Sequence, residues 1–176
     1  LKHEVGKLER KVWRVFECLE RKQLTARETR YVINTVIAGQ LQYTMQSVGL
    51  PREILKRVDA RSARLMKLRM GGGMQAPLHV VFLPEKEMGM GVRCFVDMQD
   101  AITITENLVR LNSEGLAGEV SRAMLAHAKH QMGLLSSPRE SKGMRGSGVQ
   151  RCGGGVIGYL QKCLMDRGME IATSDL

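Results

Sequence analysis

A chain of 176 residues with 43% hydrophobic side chains has enough apolar surface for one compact domain, or one domain with an appendage, which excludes wholesale disorder. The formal charge of +9, from 27 Lys and Arg against 18 Asp and Glu, makes a polyanion the default partner, RNA or DNA first and an anionic membrane surface second. No run reaches about 18 uninterrupted apolar residues, so no membrane span is expected. Cys18, Cys94, Cys152 and Cys163 are scattered without a C-x-x-C pair, which excludes a zinc ribbon or redox motif and fits a reduced intracellular compartment.

Residues 1–22 place Leu1, Val5, Leu8, Val12, Val15, Phe16 and Leu19 on one face of a long amphipathic helix. The opposite face mixes Lys2, Lys7, Arg10, Lys11 and Arg14 with Glu4, Glu9 and Glu17, the pattern of a solvated face with helical ion pairs. Thr25-Ala26-Arg27-Glu28 has the form of a capping box and predicts a second helix. Its apolar positions are Val32, Ile33, Val36, Ile37, Leu41 and Met45; Gly39 weakens its middle, and Gly49 with Pro51 stops it.

Pro51 is placed to open a third helix, REILKRVDARSARLMKLR over residues 52–69, which the glycines from Gly71 onward end. At 100° per residue, Ile54, Leu55, Val58, Ser62, Leu65 and Met66 fall on one side. Arg52, Lys56, Arg57, Arg61, Arg64 and Lys67 fall on the other and are expected to face outward. The apolar run from Leu78 to Leu83, bounded by Pro77 and Pro84, predicts a strand or extended loop, followed by the glycine-rich turn Met88-Gly89-Met90-Gly91-Val92. Helical spacing resumes over residues 97–112 and again over 116–132.

Residues 136–155 form a basic, glycine-rich loop, with Arg139, Lys142, Arg145 and Arg151 against Glu140 alone. It either threads into RNA on contact or is a tolerated insertion. A last short helix with Val156, Ile157, Leu160, Cys163 and Leu164 inward precedes the tail. With 12 Met and only seven aromatic residues, methionine is expected to fill core volume that aromatics usually fill, a Met-lined protein-binding groove being the alternative.

The order of these elements resembles the thumb and following connection segment of non-LTR retrotransposon reverse transcriptases. The matching residues are Leu24 to Glu28, Val32 to Ile37, Leu41 to Tyr43, Leu50-Pro51, Val58-Asp59 and Pro84 to Val92. Met90 stands where that family usually has Leu, and the glycine-rich stretch 136–155 departs from it. The resemblance implies a bundle that tracks a nucleic-acid backbone. The polymerase palm, with its adjacent Asp-Asp that holds two Mg²⁺ ions, has no counterpart here, so no catalytic residue, metal site or cofactor is expected in this chain.

The expected architecture is therefore mainly α: a thumb-like three-helix bundle at residues 1–70, a connection segment at 71–135 opening with a short extended glycine-rich element, the loop at 136–155, and a helix with a tail at 156–176. The expected phosphate contacts are Arg52, Lys56, Arg57, Arg61, Arg64, Lys67, Arg69, Arg139, Lys142, Arg145 and Arg151. The paucity of aromatics predicts no base-stacking platform.

His127 and His130 lie three apart without a third ligand, and Cys94 beside Arg93 has no His partner assigned by spacing; a structural role is expected of all three. The chain opens Leu1-Lys2-His3 without Met, as expected of a processed product or of a piece of something longer. The functional expectation is a non-catalytic RNA-binding part of a large ribonucleoprotein with protein neighbours, such as a mitochondrial ribosome. The alternatives are the thumb of an active reverse transcriptase whose palm lies upstream, and a protein-protein scaffold.

Overall fold

The computed structural model of the chain describes residues 2–47, 49–71 and 77–131, with residues 160, 163, 164 and 166–169 beyond them. Among the described residues the fold is mainly α-helical, and no strand occurs. The chain divides into two compact units, Leu1–Gln99 and Asp100–Leu176.

The first unit opens with α1 (Lys2–Arg21), whose Val12, Phe16 and Leu19 are buried. The capping box forms as the sequence predicts. The Glu28 N–H donates to Thr25 Oγ1 at 3.3 Å, and the Thr25 N–H donates back to Glu28 Oε2 at 2.9 Å, opening α2 (Ala26–Val32). A π-helical turn, Ile33–Ile37, then joins α2 to α3 (Ala38–Ser47) without a break. The wider turn shifts the phase of the apolar stripe: Ile33, Ile37, Ala38, Leu41 and Met45 are buried, while Val36, expected inward, is 42% exposed.

Gly49, at φ +71°, makes the reversal into α4 (Arg52–Arg69). Pro51 sits one residue before the helix, as its cap, rather than as its first residue. The peptide groups of Leu50 are bonded at both ends by one side chain: the Leu50 N–H donates to Gln99 Oε1 and Gln99 Nε2 donates to the Leu50 carbonyl, each at 2.7 Å. A buried chain reversal thus keeps no orphan polar group at that residue.

Leu55, Val58, Leu65 and Met66 complete the core of this unit from α4, which packs against α1 and α2. Full burial of each such side chain stabilises the fold by about 1.5–3 kcal/mol. Methionine fills core volume at Met45 and Met66, while Met88 and Met124 are exposed.

Residues 78–82 correct the expectation of an extended segment, for Leu78–Phe82 is one helical turn, α5. A short apolar run does not distinguish strand from buried helix; here Pro77 provides the helix cap and Val81 is fully buried where α5 packs on α4. A 3₁₀ turn, Glu85–Glu87, and the glycine-rich turn then fold back on α5, with Met90 N–H donating to the Val80 carbonyl and Val92 N–H to that of Val81. Gly89 is required there, because a Cβ would lie 2.0 Å from the Leu83 carbonyl oxygen. These contacts extend the first unit to Gln99, beyond the helical bundle itself.

The helix α6 (Phe95–Leu111) begins in the first unit, capped there by a residue distant in sequence. The buried Asp59 carboxylate accepts the N–H groups of Phe95 at 2.8 Å and Val96 at 3.2 Å, with Cys94 Sγ at 3.4 Å. It satisfies amides that the helix cannot bond internally. Burial nonetheless raises the Asp59 pKa, against the pull of those N–H groups.

In the second unit the later turns of α6 are followed by α7 (Leu116–Gln131). The Arg122 guanidinium donates to the Leu111 carbonyl at 2.9 Å, closing the end of α6. The fully buried Asp100 accepts from Arg167 Nη2 at 2.9 Å and lies 3.3 Å from Cys163 Sγ. Leu160, Cys163, Leu164, Asp166 and Arg167 are helical, with Leu160 and Cys163 buried as expected. The loop at 136–155, with Arg139, Lys142, Arg145 and Arg151, lies outside the described residues.

Candidate nucleic-acid interface

Seven cations on one helix cannot all be packed against an apolar neighbour, and α4 divides them between two flanks. On the flank that meets α1, Arg61 donates from Nε to Glu20 Oε1 at 2.9 Å and from Nη2 to Glu20 Oε2 at 3.0 Å, a two-pronged pair. Its guanidinium lies 5.0 Å from the Trp13 ring centre and 5.4 Å from that of Phe16. The hydrogen bonds from Arg61 hold the Glu20 carboxyl below the usual carboxylate range, and Arg64 adds to this from nearby.

Arg57 Nη2 pairs with Glu9 Oε1 at 2.8 Å, an oxygen that also accepts from Trp13 Nε1 at 3.1 Å. Arg69 reaches the end of α1, donating from Nη2 to the carbonyls of Leu19 at 2.7 Å and Lys22 at 2.5 Å. A cation placed on the last carbonyls of a helix meets the negative end of its dipole.

These contacts correct the expectation that the basic side of the helix faces outward as a whole. Arg61 and Arg69 bind α4 to α1, and Arg57, though half exposed, is paired. Arg52 is half-buried in the first turn and also engaged. On the outer flank stand Lys56, Arg64 and Lys67. Lys56 and Arg64 are exposed and Lys67 half so; Glu53, 3.7 Å from Lys56 Nζ, is the one acid in that part of the helix.

The connection segment contributes to a cleft within the same unit. The cleft, of about 820 Å³, is lined by Arg30, Asn34, Glu85, Lys86, Arg93 and Asp97 among others. Arg30 pairs with Glu85, and Asn34 holds the loop from both sides, donating to the Gly91 carbonyl at 2.8 Å and accepting the Arg93 N–H at 2.9 Å. Cys94 on its wall is no thiolate: burial, reinforced by the charges of Asp59 and Asp97, pushes its pKa up to about 12. Among the described residues no group of three or more His, Cys, Asp and Glu is arranged to hold a metal ion.

Sequence reasoning missed the acidic partners Glu9 and Glu20, and the signal was available in their position. Both stand beside the apolar stripe of α1 rather than opposite it, where charged residues pair across a helix interface. It also missed two surface aromatics on one continuous helical run, Tyr31 at 66% and Tyr43 at 78% exposure. No charged residue occurs between them.

Among the described residues, no helix is long and apolar enough to cross a membrane. No protein-family model, no curated protein and no solved structure matches the chain.

Proposed function

We propose that this chain is a non-catalytic RNA-binding module, resembling a reverse-transcriptase thumb, that lies along a phosphate backbone and serves as a structural part of a large ribonucleoprotein such as a mitochondrial ribosome. The observation that carries the reading is the outer flank of α4, where Lys56, Arg64 and Lys67 project from a helix whose other face is fixed in the core. A rigid row of cations neutralises phosphates and positions a nucleic acid without reading its sequence. The net charge of +9 supplies the long-range attraction.

The test is binding of the 176-residue chain to a labelled RNA hairpin across a salt series. Log affinity should fall linearly with log salt, by roughly 0.9 per phosphate neutralised on a duplex. Replacing Lys56, Arg64 and Lys67 together by Glu should lower affinity at least about tenfold at 0.1 M salt and flatten that slope. Thermal stability should be retained, because none of the three docks α4 on its neighbours. Unchanged RNA affinity in that variant removes the reading.

A second reading has its own observation. Leu116, Val120 and Met124 recur along α7 and are 77%, 48% and 56% exposed, an apolar row suited to a protein neighbour. Such a contact is compatible with a ribonucleoprotein; as the sole function it predicts binding that salt barely affects.

A further inference from the structure

The same ion pairs that hold arginines of α4 inward also dispose of the acids of α1. Glu9 and Glu20 are turned to Arg57 and Arg61, and Glu17 lies close enough to act electrostatically on Arg61. Glu4 pairs with Lys7 at 3.1 Å within the first turns. What the sequence shows as a mixed row of charges is thereby sorted in space. Glu9 and Glu20 line the seam with α4, and Arg10, Lys11, Arg14 and Arg21 remain exposed on α1.

Among the described residues no ion pair engages Lys11, Arg14 or Arg21, and Arg10 bonds only the Gly6 carbonyl of its own helix. On the seam, Glu9 and Glu20 are neutralised by Arg57 and Arg61, while Glu17 acts on Arg61 only at longer range. An approaching phosphate therefore meets four cations, with Glu17, exposed between Arg14 and Arg21, as the one acid within the row. From Arg10 to Arg21 the row covers about 16 Å at 1.5 Å per residue. A duplex strand presents a phosphate about every 3.4 Å of axis, so about five phosphates fit along that length.

We infer that the outer face of α1, formed by Arg10, Lys11, Arg14 and Arg21, is a second line of phosphate contacts beside the outer flank of α4. The inference rests on the RNA-binding reading and widens its footprint from one helix to two. A lipid surface of the same charge is the competing ligand. The face is poorly made for it: a membrane-lying helix needs apolar side chains that enter the headgroup boundary, and α1 contributes none of the exposed large hydrophobic residues.

Cys18 lies on this face, exposed and between Arg14 and Arg21, and offers a readout that requires no charge reversal. The experiment measures alkylation of Cys18 by peptide mass spectrometry in the intact chain, with and without a 20-base-pair RNA duplex. In parallel, duplex affinity is followed across a salt series for the parent chain, Arg14→Glu with Arg21→Glu, and Arg64→Glu with Lys67→Glu. RNA should slow Cys18 alkylation severalfold, and the α1 pair should reduce the salt slope by about 2, at 0.9 per lost phosphate.

If the α4 pair flattens the slope while the α1 pair does not, and Cys18 stays as reactive as before, the inference fails and the RNA-binding reading stands. If neither pair changes binding, both fail. If the reversed α1 chain does not fold, Arg14→Gln with Arg21→Gln takes its place, with the same slope change expected. Vesicles containing phosphatidylserine provide the last arm: tighter binding to them than to the duplex, lost in the α1 pair, would overturn the inference in favour of a membrane.

Discussion

The two flanks of α4 carry the same kinds of side chain and have opposite fates. Toward α1, Arg57, Arg61 and Arg69 meet two carboxylates, two aromatic rings and the free carbonyls of a helix end. Away from it, Lys56 and Lys67 stand at the surface with Glu53 as the one acid in that part of the helix, while Arg64 is exposed yet near enough to Glu20 of α1 to lower its pKa. A positive charge on a helix is thus no indicator of a binding face by itself. Its role follows from what the neighbouring helix presents at that height, and the inward arginines are fold before they are function.

If that division is right, changes on the inner side should cost stability and changes on the outer side should cost binding. The largest loss is expected at the one inward carboxylate of α4. Asp59→Ala strips the start of α6 of its cap and leaves the buried Phe95 N–H without an acceptor, a cost of about 3 kcal/mol in chemical denaturation.

Asp59→Asn retains an acceptor and should cost less, with a pH dependence of known sign. Burial raises the folded pKa of Asp59, so its protonated form is favoured in the native state. Its contribution is fully present below the ordinary value of 3.8 and is lost as pH rises through the folded pKa. The advantage of the parent chain over Asp59→Asn should therefore shrink as the pH is raised from 3.8. A gap that widens instead would show that the amide bonds outweigh burial.

Next in size is Arg61→Glu, which sets a second carboxylate against Glu20 and removes a cation from the Trp13 ring. A loss of about 2 kcal/mol is expected, whereas the outward Lys67→Glu should change stability by less than about 0.5 kcal/mol. Equal melting temperatures for these two variants would erase the distinction between the flanks. A charge reversal that includes Arg57 and Arg61 is accordingly a poor probe of RNA binding, because it attacks the bundle as well as the surface.

How far the sequence carried these conclusions varies along the chain. The capping box at Thr25, the span of α4 and the glycine stop at Gly71 are local events, written in adjacent residues, and they were legible. The π-helical turn was not, since Val32-Ile33-Asn34-Thr35-Val36-Ile37 has ordinary α-helical spacing and the extra residue is accommodated only by packing. The run Leu78 to Phe82 was ambiguous in principle. The outward flank of α4 was half legible: the wheel separates basic from apolar, but separating bound from free arginines required the register of α1 against α4. The pairings show the common direction of the two helices along the seam, because Arg57 meets Glu9 and Arg61 meets Glu20 further along both. The role of Asp59 was illegible for the same reason, its partners lying 36 and 37 residues away.

A smaller effect refines the inward side. The folded pKa of Glu20 is depressed by Arg61, so this pair stabilises the chain above the ordinary carboxylate value of 4.5 and ceases to do so as pH falls through the folded pKa. Glu20 is partly exposed and the attraction is screened, so Glu20→Gln should cost less than about 1 kcal/mol at pH 7. The difference from the parent chain should diminish as pH falls below 4.5, and it should shrink in 1 M salt. A cost that persists in acid would mean that Glu20 acts through packing and neutral hydrogen bonding, leaving Arg61 anchored by the aromatic rings alone.

The smallest change tests whether an inward polar group on α4 matters only when it has a partner. Ser62 is fully buried beside Arg61, and its hydroxyl has no hydrogen-bond partner among the described residues, unlike Asp59 one turn earlier. The hydroxyl is therefore desolvated on folding without compensation, a cost that Ser62→Ala removes while keeping the helix and gaining intrinsic helix propensity. The variant should be about 0.5–1 kcal/mol more stable, seen as a higher melting temperature, with RNA affinity unchanged. The same substitution lowering stability would place an unrecognised bond at the centre of the bundle. An altered RNA affinity at constant stability would be harder to reconcile with the division of α4, because it would make a core position report on a ligand assigned to the opposite side of the helix.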